Sequence, residues 1–381
     1  MKKICYITTV PITIKSFILK AADYIYQQTG WDITFICDYD QEFEKMIPEY
    51  MHYIPVSMKR GISFSGIKAM LEMRKIFKRE KFDLIQYSTP NASLYASLAG
   101  WLAKVPVRLY CQWGMAFVGM SGFKRKIFKT IEKFVCSRST WIEPDSKGNL
   151  DFSHSIGLYS SKKSSVIWNG SASGVDLEKF DISKKDNYRK TIREKYNIPA
   201  DAKVYGFVGR ITRDKGINEL LTAYKQIEND DKFLMLVGRE EIDQNIDMQL
   251  YEWSKNHPRI IYTGSTNVVE QFLSAMDTYI LPSYREGFGS GVIEAEAMGL
   301  PVIVTDIPGP TNAMKKDETG LVVKKADVET LKNAMFDIFA DNEKYISMSK
   351  NAYLYAKDNF EQNQLFSYIL ADRKRLLGEE F

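Results

Sequence analysis

ILPSYREGFGSGVIEAEAMGLPVIV, residues 280–304, is the stretch on which the fold turns. Its apolar start reads as a strand, and Gly287, Gly289 and Gly291 as a turn. Residues 290–298 read as a short helix stopped by Gly299 and Pro301, and a second strand begins at Val302. Glycines let the backbone come close to a ligand, and the helix start behind them offers unpaired N–H groups and the positive end of a dipole. A phosphate is therefore the first ligand to expect. Glu286 and Glu294 flank that place; acids repel phosphate, so they suit hydroxyl groups attached on either side of it. Phosphate with hydroxyls on both sides describes a nucleotide sugar.

Outward from this stretch, strands alternate with helices along the whole chain. Strand-like runs at 3–8, 32–37, 84–88, 108–113, 140–143 and 165–168 are separated by helix-like runs at 15–28, 67–79, 92–103, 124–137 and 148–156. A polar, charge-rich segment follows at 171–201. The alternation then resumes with strands at 203–207, 232–237, 259–262, 278–281, 302–305 and 320–323 and helices at 217–227, 247–255 and 268–275. This is the pattern of parallel sheets covered by helices. It predicts an α/β protein of two Rossmann-like, doubly wound domains facing a central cleft. The expected boundaries are a first domain over 1–170, a linker over 171–201, a second domain over 202–358 and a C-terminal helix over 359–381. The aromatic residues Phe336, Phe339, Tyr353, Tyr355, Phe360, Phe366 and Tyr368 recur at helical spacing and are expected in the core.

The totals exclude several classes. A chain of 381 residues suits about two to three domains with a core in each. With 45% hydrophobic and 26% charged residues it is neither disordered nor fibrous, and a net charge of +4 gives no case for nucleic acid. Cys5, Cys37, Cys111 and Cys136 lie far apart without a Cys-x-x-Cys pair, so reduced, buried thiols are expected and neither zinc nor disulfides. No apolar run is long enough to span a bilayer and the N-terminus enters a strand at once, so a cytoplasmic location is expected.

The second domain opens with VYGFVGRITRDKG at 204–216: a strand, a turn at Gly209, and two cations in the loop beyond. Arg210 is a planar fork and Lys215 a point charge, and together they would neutralise a diphosphate. Arg239, in the turn ending the next strand, and Val268, closing the turn 264–268, fall on the same sheet edge and are candidates for the nucleotide base by adjacency alone. Asp38-Tyr39-Asp40 has the form of a metal-bridged diphosphate site, but it stands away from these cations and is read as a loop. His52, His154 and His257 match no catalytic pattern and are read as structural.

Glu286 and Glu294 in Glu-Gly-Phe-Gly-x-x-x-x-Glu, with Gly209 to Gly216 as Gly-Arg-x-x-x-x-Lys-Gly, resemble the family 4 retaining glycosyltransferases, the group 1 glycosyl transferases of GT-B architecture. The resemblance is strong over the second domain and general over the first. It implies the two-domain GT-B fold with C-terminal helices crossing back to the first domain, and a transferase that moves a sugar from a nucleoside diphosphate sugar, UDP-linked, to a lipid-linked or growing saccharide in surface polysaccharide biosynthesis. Glu294 would bond the ribose hydroxyls and Glu286 the hydroxyls of the transferred sugar. Arg210 and Lys215 would stabilise charge on the departing diphosphate. Backbone N–H groups at Phe288, Gly289 and Ser290, beside Gly209, would complete its site, and no metal or other cofactor would be needed.

The first domain departs from the family pattern in the loop after its first strand, where Thr9 and its neighbours replace glycines, and after 108–113, where Gln112 or Trp113 stands in the region of a histidine. These three are the expected acceptor or sugar contacts. Residues 113–134 interleave Trp113, Met115, Phe117, Met120, Phe123, Phe128 and Phe134 with Lys124, Arg125, Lys126, Lys129 and Lys133. Two readings fit: a helix on an anionic membrane surface, or an ordinary helix packed on its sheet with solvated lysines. The resemblance favours the membrane and a polyprenyl-diphosphate-linked acceptor. Two other activities fit the same residues, a nucleotide-sugar epimerase and a binding protein without turnover.

Overall fold

The computed structural model of the chain describes residues 1–58, 64–227 and 231–379. The last two positions of the expected helix 359–381, and residues 59–63 and 228–230 of the two expected domains, lie outside the described residues. The chain forms two units, Met1–Ser173 with Asn363–Phe381, and Gly174–Gln362.

In the first unit β1 (Lys3–Ile7), β2 (Asp32–Cys37), β3 (His52–Pro55), β4 (Leu84–Tyr87), β5 (Val107–Gln112) and β6 (Trp141–Pro144) form one parallel sheet in the order β3-β2-β1-β4-β5-β6. Side chains alternate across a strand. Ile4 and Tyr6 accordingly enter one core, with Phe35 and Leu109, while Cys5 and Ile7 enter the other, with Ile85 and Tyr87. Burial on both faces is why β1 reads apolar from Ile4 to Ile7 instead of alternating with polar residues. β3 escapes the sequence pattern because it is a four-residue edge strand with half-exposed side chains that ends on Pro55. The expected strand at 165–168 is absent: only Ser164 bridges to Ile142, and Trp168 takes a left-handed φ of 47°.

In the second unit β7 (Lys203–Val208), β8 (Lys232–Val237), β9 (Ile260–Gly264), β10 (Thr278–Leu281), β11 (Val302–Thr305) and β12 (Gly320–Val323) form a parallel sheet in the order β12-β11-β10-β7-β8-β9. All four residues of β10 and of β11 are buried. The expected linker 171–201 is largely part of this unit. It contains a helix, Lys185–Lys195, packed on the helix Val269–Ala275. Its Arg193 is buried and donates from Nη2 to Asp277 at 2.8 Å and from Nε to the Ala275 carbonyl at 3.1 Å. Arg189 reaches the same carboxylate at 2.7 Å. A polar composition here reflects ion pairing with Asp277, not a solvated tether.

The C-terminal helix Gln362–Leu376 builds Leu365, Phe366, Ile369 and Leu370 into the core of the first unit. Below them the fully buried Arg373 donates to Glu143 at 2.6 Å and to Gln86 at 3.1 Å. The chain thus returns to the first unit after completing the second, as GT-B architecture requires.

Candidate functional site

Between β7 and β10 the strand order changes direction, and the crevice outside the carboxyl ends of such neighbours is where open α/β sheets bind ligands. The loops after both strands are drawn together by one glycine. Gly216 has φ 76°, and a Cβ there would stand 2.0 Å from the carbonyl oxygen of Pro282. Only glycine allows that approach. The loops are then joined by the Tyr284 N–H donating to the Asp214 carbonyl at 2.9 Å.

This brings Lys215 and Glu286, 71 positions apart, to 2.6 Å, with both side chains mostly buried. The Ser283 hydroxyl donates to the same Glu286 oxygen at 2.7 Å, and Ser283 is itself held through its carbonyl by the Thr305 hydroxyl at 2.7 Å. Asp214 is gripped by Thr212 at 2.5 Å and by Arg285 at 3.2 Å. Burial pushes the Asp214 carboxyl up, but the Thr212 hydroxyl and the cations Arg285, Arg210 and Lys215 outweigh it and hold the group below its ordinary range.

The helix after β10 runs Ser290–Ala297, close to the expected 290–298. Its N-cap is Gly289 at φ 88°, and no side chain caps it. Of the first-turn N–H groups, that of Val292 donates to the Gly289 carbonyl at 2.8 Å, and no N-cap side chain takes up the others. Phe288 contributes only backbone to this turn, because its ring is buried 5.3 Å from that of Phe360. On the next turn of the helix Glu294 has its carboxyl pushed up to about 7, mainly by burial, with Glu270 raising it and Lys179 opposing. Lys179 and Glu270, which the sequence did not single out, approach to 4.0 Å.

Across β7 and β8 the edge carries the remaining candidates. Gly238 packs against Gly209 so closely that a Cβ would meet the Gly209 carbonyl at 1.8 Å. Arg210, half exposed, donates to Glu241 at 2.8 Å, and the exposed Arg239 lies 3.8 Å from the other oxygen of that carboxylate. Val268 is half exposed at the start of the helix Val269–Ala275, beyond β9. Strand order therefore sets Glu286, Lys215 and Arg210, Arg239 and Val268 in sequence along one edge.

In the first unit Gln112 requires a correction. It is fully buried, donates to Glu132 at 2.5 Å and accepts from Ser153 at 3.1 Å and Tyr159 at 2.8 Å, so its amide faces the interior and not a ligand. Thr9 is likewise used internally: its N–H donates to the Thr89 hydroxyl at 3.0 Å, and its hydroxyl lies 2.9 Å from the same oxygen. Trp113 is half buried, with its ring 5.7 Å from that of Phe17. Asp38 and Asp40 serve local structure, accepting from the N–H groups of Met58 and Phe43, each at 2.6 Å. No group of three or more metal-ligating side chains occurs among the described residues, and none of their helices is long and apolar enough to cross a membrane. His154 bonds Ser164 at 3.0 Å, His52 faces Asp32 and His257 packs on Trp253, all outside these loops.

The family profile of "Glycosyl transferases group 1" matches residues 188–355, and that of "Glycosyl transferase 4-like" matches residues 3–146. The capsular polysaccharide biosynthesis glycosyltransferase CapM of Staphylococcus aureus is 30% identical over 334 residues, covering 87% of this chain and 86% of its own. The UDP-Gal:alpha-D-GlcNAc-diphosphoundecaprenol alpha-1,3-galactosyltransferase of Escherichia coli is 27% identical over 333 residues, covering 84% and 83%. The crystal structure of HepE from Anabaena in complex with UDP superposes with a TM-score of 0.78 at 16% identity over 98% of this chain and all of that one, a likeness of fold. The chain belongs to the glycosyl transferases group 1 family: it is a GT-B glycosyltransferase that groups with enzymes of bacterial surface-polysaccharide synthesis.

Proposed function

We propose that the chain is a retaining, metal-independent transferase that moves a hexose from a UDP-sugar to a lipid-linked saccharide acceptor. The observation that carries this reading is the 2.6 Å pair of Lys215 and Glu286 at the switch point, beside the uncapped helix of Glu294. A donor diphosphate would lie on the first-turn N–H groups between Lys215 and Arg210, with the transferred sugar toward Glu286 and the ribose toward Glu294. As the anomeric C–O bond breaks, its electron pair passes to the diphosphate oxygen, where these cations and the helix terminus stabilise it. The acceptor hydroxyl bonds the anomeric carbon on the face the diphosphate leaves, and its proton goes to a diphosphate oxygen. Two side-chain cations then do the work a divalent metal does elsewhere.

The names of the relatives support the donor and acceptor classes. One acts from UDP-Gal on a diphosphoundecaprenol-linked sugar, and a structural neighbour was crystallised with UDP. The helix Gly122–Arg138 supports contact with an anionic cytoplasmic membrane surface: Phe123 is 78% exposed and Ile127 40% exposed, with Lys124, Arg125 and Lys126 exposed around them. Binding to anionic vesicles that Phe123→Ala with Lys124→Ala weakens is the expected result; no binding by the unaltered protein would remove the membrane from the account.

Transfer assayed with UDP-sugars and a polyprenyl-diphosphate-linked saccharide, with and without a chelator, tests the central reading. Product that persists in chelator and vanishes in Lys215→Ala and Glu294→Ala supports it. A nucleotide sugar isomerised without acceptor would instead make the protein an epimerase.

A further inference from the structure

Glu240 and Glu241 are consecutive acids in the loop after β8, and the backbone sends them in opposite directions. Glu240 bridges to Ile211, the Ile211 N–H donates to the Arg239 carbonyl at 2.8 Å and the Glu241 N–H to the Ile211 carbonyl at 3.1 Å. The loops after β7 and β8 thus continue their parallel pairing past the end of the sheet, and the close approach of Gly238 to Gly209 fixes their spacing. The Glu240 carboxylate turns toward the helix Met248–Lys255, where Tyr251 donates to it and Lys255 lies at 3.2 Å. Glu241 turns the other way, into the edge that carries the cations. One of its oxygens holds Arg210 Nη1 at 2.8 Å, and the other lies 3.8 Å from Arg239 Nε.

An ion pair whose arginine is 51% exposed contributes little to stability, so stability alone does not account for this arrangement. It uses one of Arg210's donors and leaves the rest of the guanidinium fork to an incoming ligand. It also places a negative charge within bonding distance of the cation that a diphosphate must engage.

We propose that Glu241 is a positioning residue for Arg210: it orients the guanidinium fork for the departing diphosphate while opposing tight binding of the diphosphate in the ground state. This rests on the reading of Arg210 as a diphosphate ligand. The physical consequence is a split that ordinary structural residues do not produce. Neutralising Glu241 removes a competing charge and tightens ground-state binding, yet it frees the fork to adopt geometries that do not match the charge developing during bond cleavage.

The test compares Glu241→Gln, Arg210→Ala and the double variant, with UDP as the binding probe and transfer from a UDP-sugar as the rate readout. Glu241→Gln is expected to lower the Kd for UDP about threefold and to lower kcat about tenfold. In the Arg210→Ala background the same substitution should leave kcat unchanged and shift the Kd by clearly less than in the unaltered protein, since the group it positions is gone. Weakened UDP binding in Glu241→Gln, an unchanged kcat, or an equal effect with and without Arg210 would overturn the inference while leaving the diphosphate site intact. If Arg210→Ala itself leaves UDP binding and kcat unchanged, the site reading fails first. Circular dichroism and thermal midpoints matching those of the unaltered protein guard against misfolding as the cause.

Discussion

The two sheets have the same topology and opposite chemistry at the same place. Counted from the first strand of each, both run third, second, first, fourth, fifth, sixth, so both change direction between their first and fourth strands. At the β7–β10 junction the loops carry ion pairs: Lys215 with Glu286, Arg285 with Asp214, Arg213 with Glu219 and Arg210 with Glu241. At the β1–β4 junction the adjoining residues are Thr8, Thr9, Ser88 and Thr89, and the contacts between Thr9 and Thr89 are among neutral groups. A fold supplies the crevice; the loops decide what it can hold. On the function proposed above, the charged junction takes the diphosphate whose charge grows during reaction, and the hydroxyl-lined one faces neutral groups.

Exchanging charge for neutrality at the first of these should cost most. Lys215→Ala is expected to lower kcat about 10²- to 10³-fold, whereas Thr9→Val in the equivalent loop of the other unit should change it by less than about tenfold. Steady-state rates for the two variants read the contrast; comparable losses would mean that the junctions are not chemically distinct.

Gly216→Ala attacks the approach that joins the loops. Its Cβ has no room beside Pro282 and its φ is left-handed, so a loss of about 3 kcal/mol in unfolding free energy is expected, with transfer lost too. Urea titration measures the first, and a wild-type midpoint would show that the loops can separate without cost.

Glu296 and Glu294 share a helix but not a fate. Glu296 is fully buried, and neither carboxylate oxygen is hydrogen-bonded by the described residues; burial drives its carboxyl well above the ordinary range, with Thr319 nearby opposing. A raised carboxyl favours folding at low pH, and that stability is lost as pH climbs from the unfolded value of about 4.3 through the folded one. Glu296→Gln should therefore stabilise the protein at pH 8 by about 1–2 kcal/mol and flatten this slope. A thermal midpoint that does not rise at pH 8 would contradict it.

Glu294, at about 7, makes a smaller prediction of the same kind for binding. If its carboxylate accepts ribose hydroxyls, affinity for UDP should increase as pH rises through about 7, and Glu294→Gln should remove the rise. An unchanged profile would detach Glu294 from the nucleoside.

Much of the charged junction was legible because its parts are local in sequence: Gly209 to Gly216 and Glu286 to Glu294 each announce a turn and its charges. The partners that complete it were not. Glu241 reaches Arg210 across 31 positions and Ser283 gains its meaning only through Glu286 and Lys215, since sequence shows which residues occur in a loop but not where each side chain turns. Gln112 departs from the sequence expectation for a related reason: the end of a strand can face a ligand or the interior, and here Glu132, Ser153 and Tyr159 claim its amide. Residues 171–201 looked like a tether because charge usually marks solvent, whereas Arg189 and Arg193 are drawn in by Asp277. The alternation of strands and helices is legible despite such local ambiguity because it depends on burial over many residues.

Calorimetric titration of UDP in chelator, with the unaltered protein, Lys215→Ala and Thr9→Val side by side, tests the central claim most directly. The account predicts binding without metal, a Kd at least about tenfold weaker in Lys215→Ala, and an unchanged Kd in Thr9→Val. Binding that requires a divalent ion, or that survives in Lys215→Ala, would contradict it.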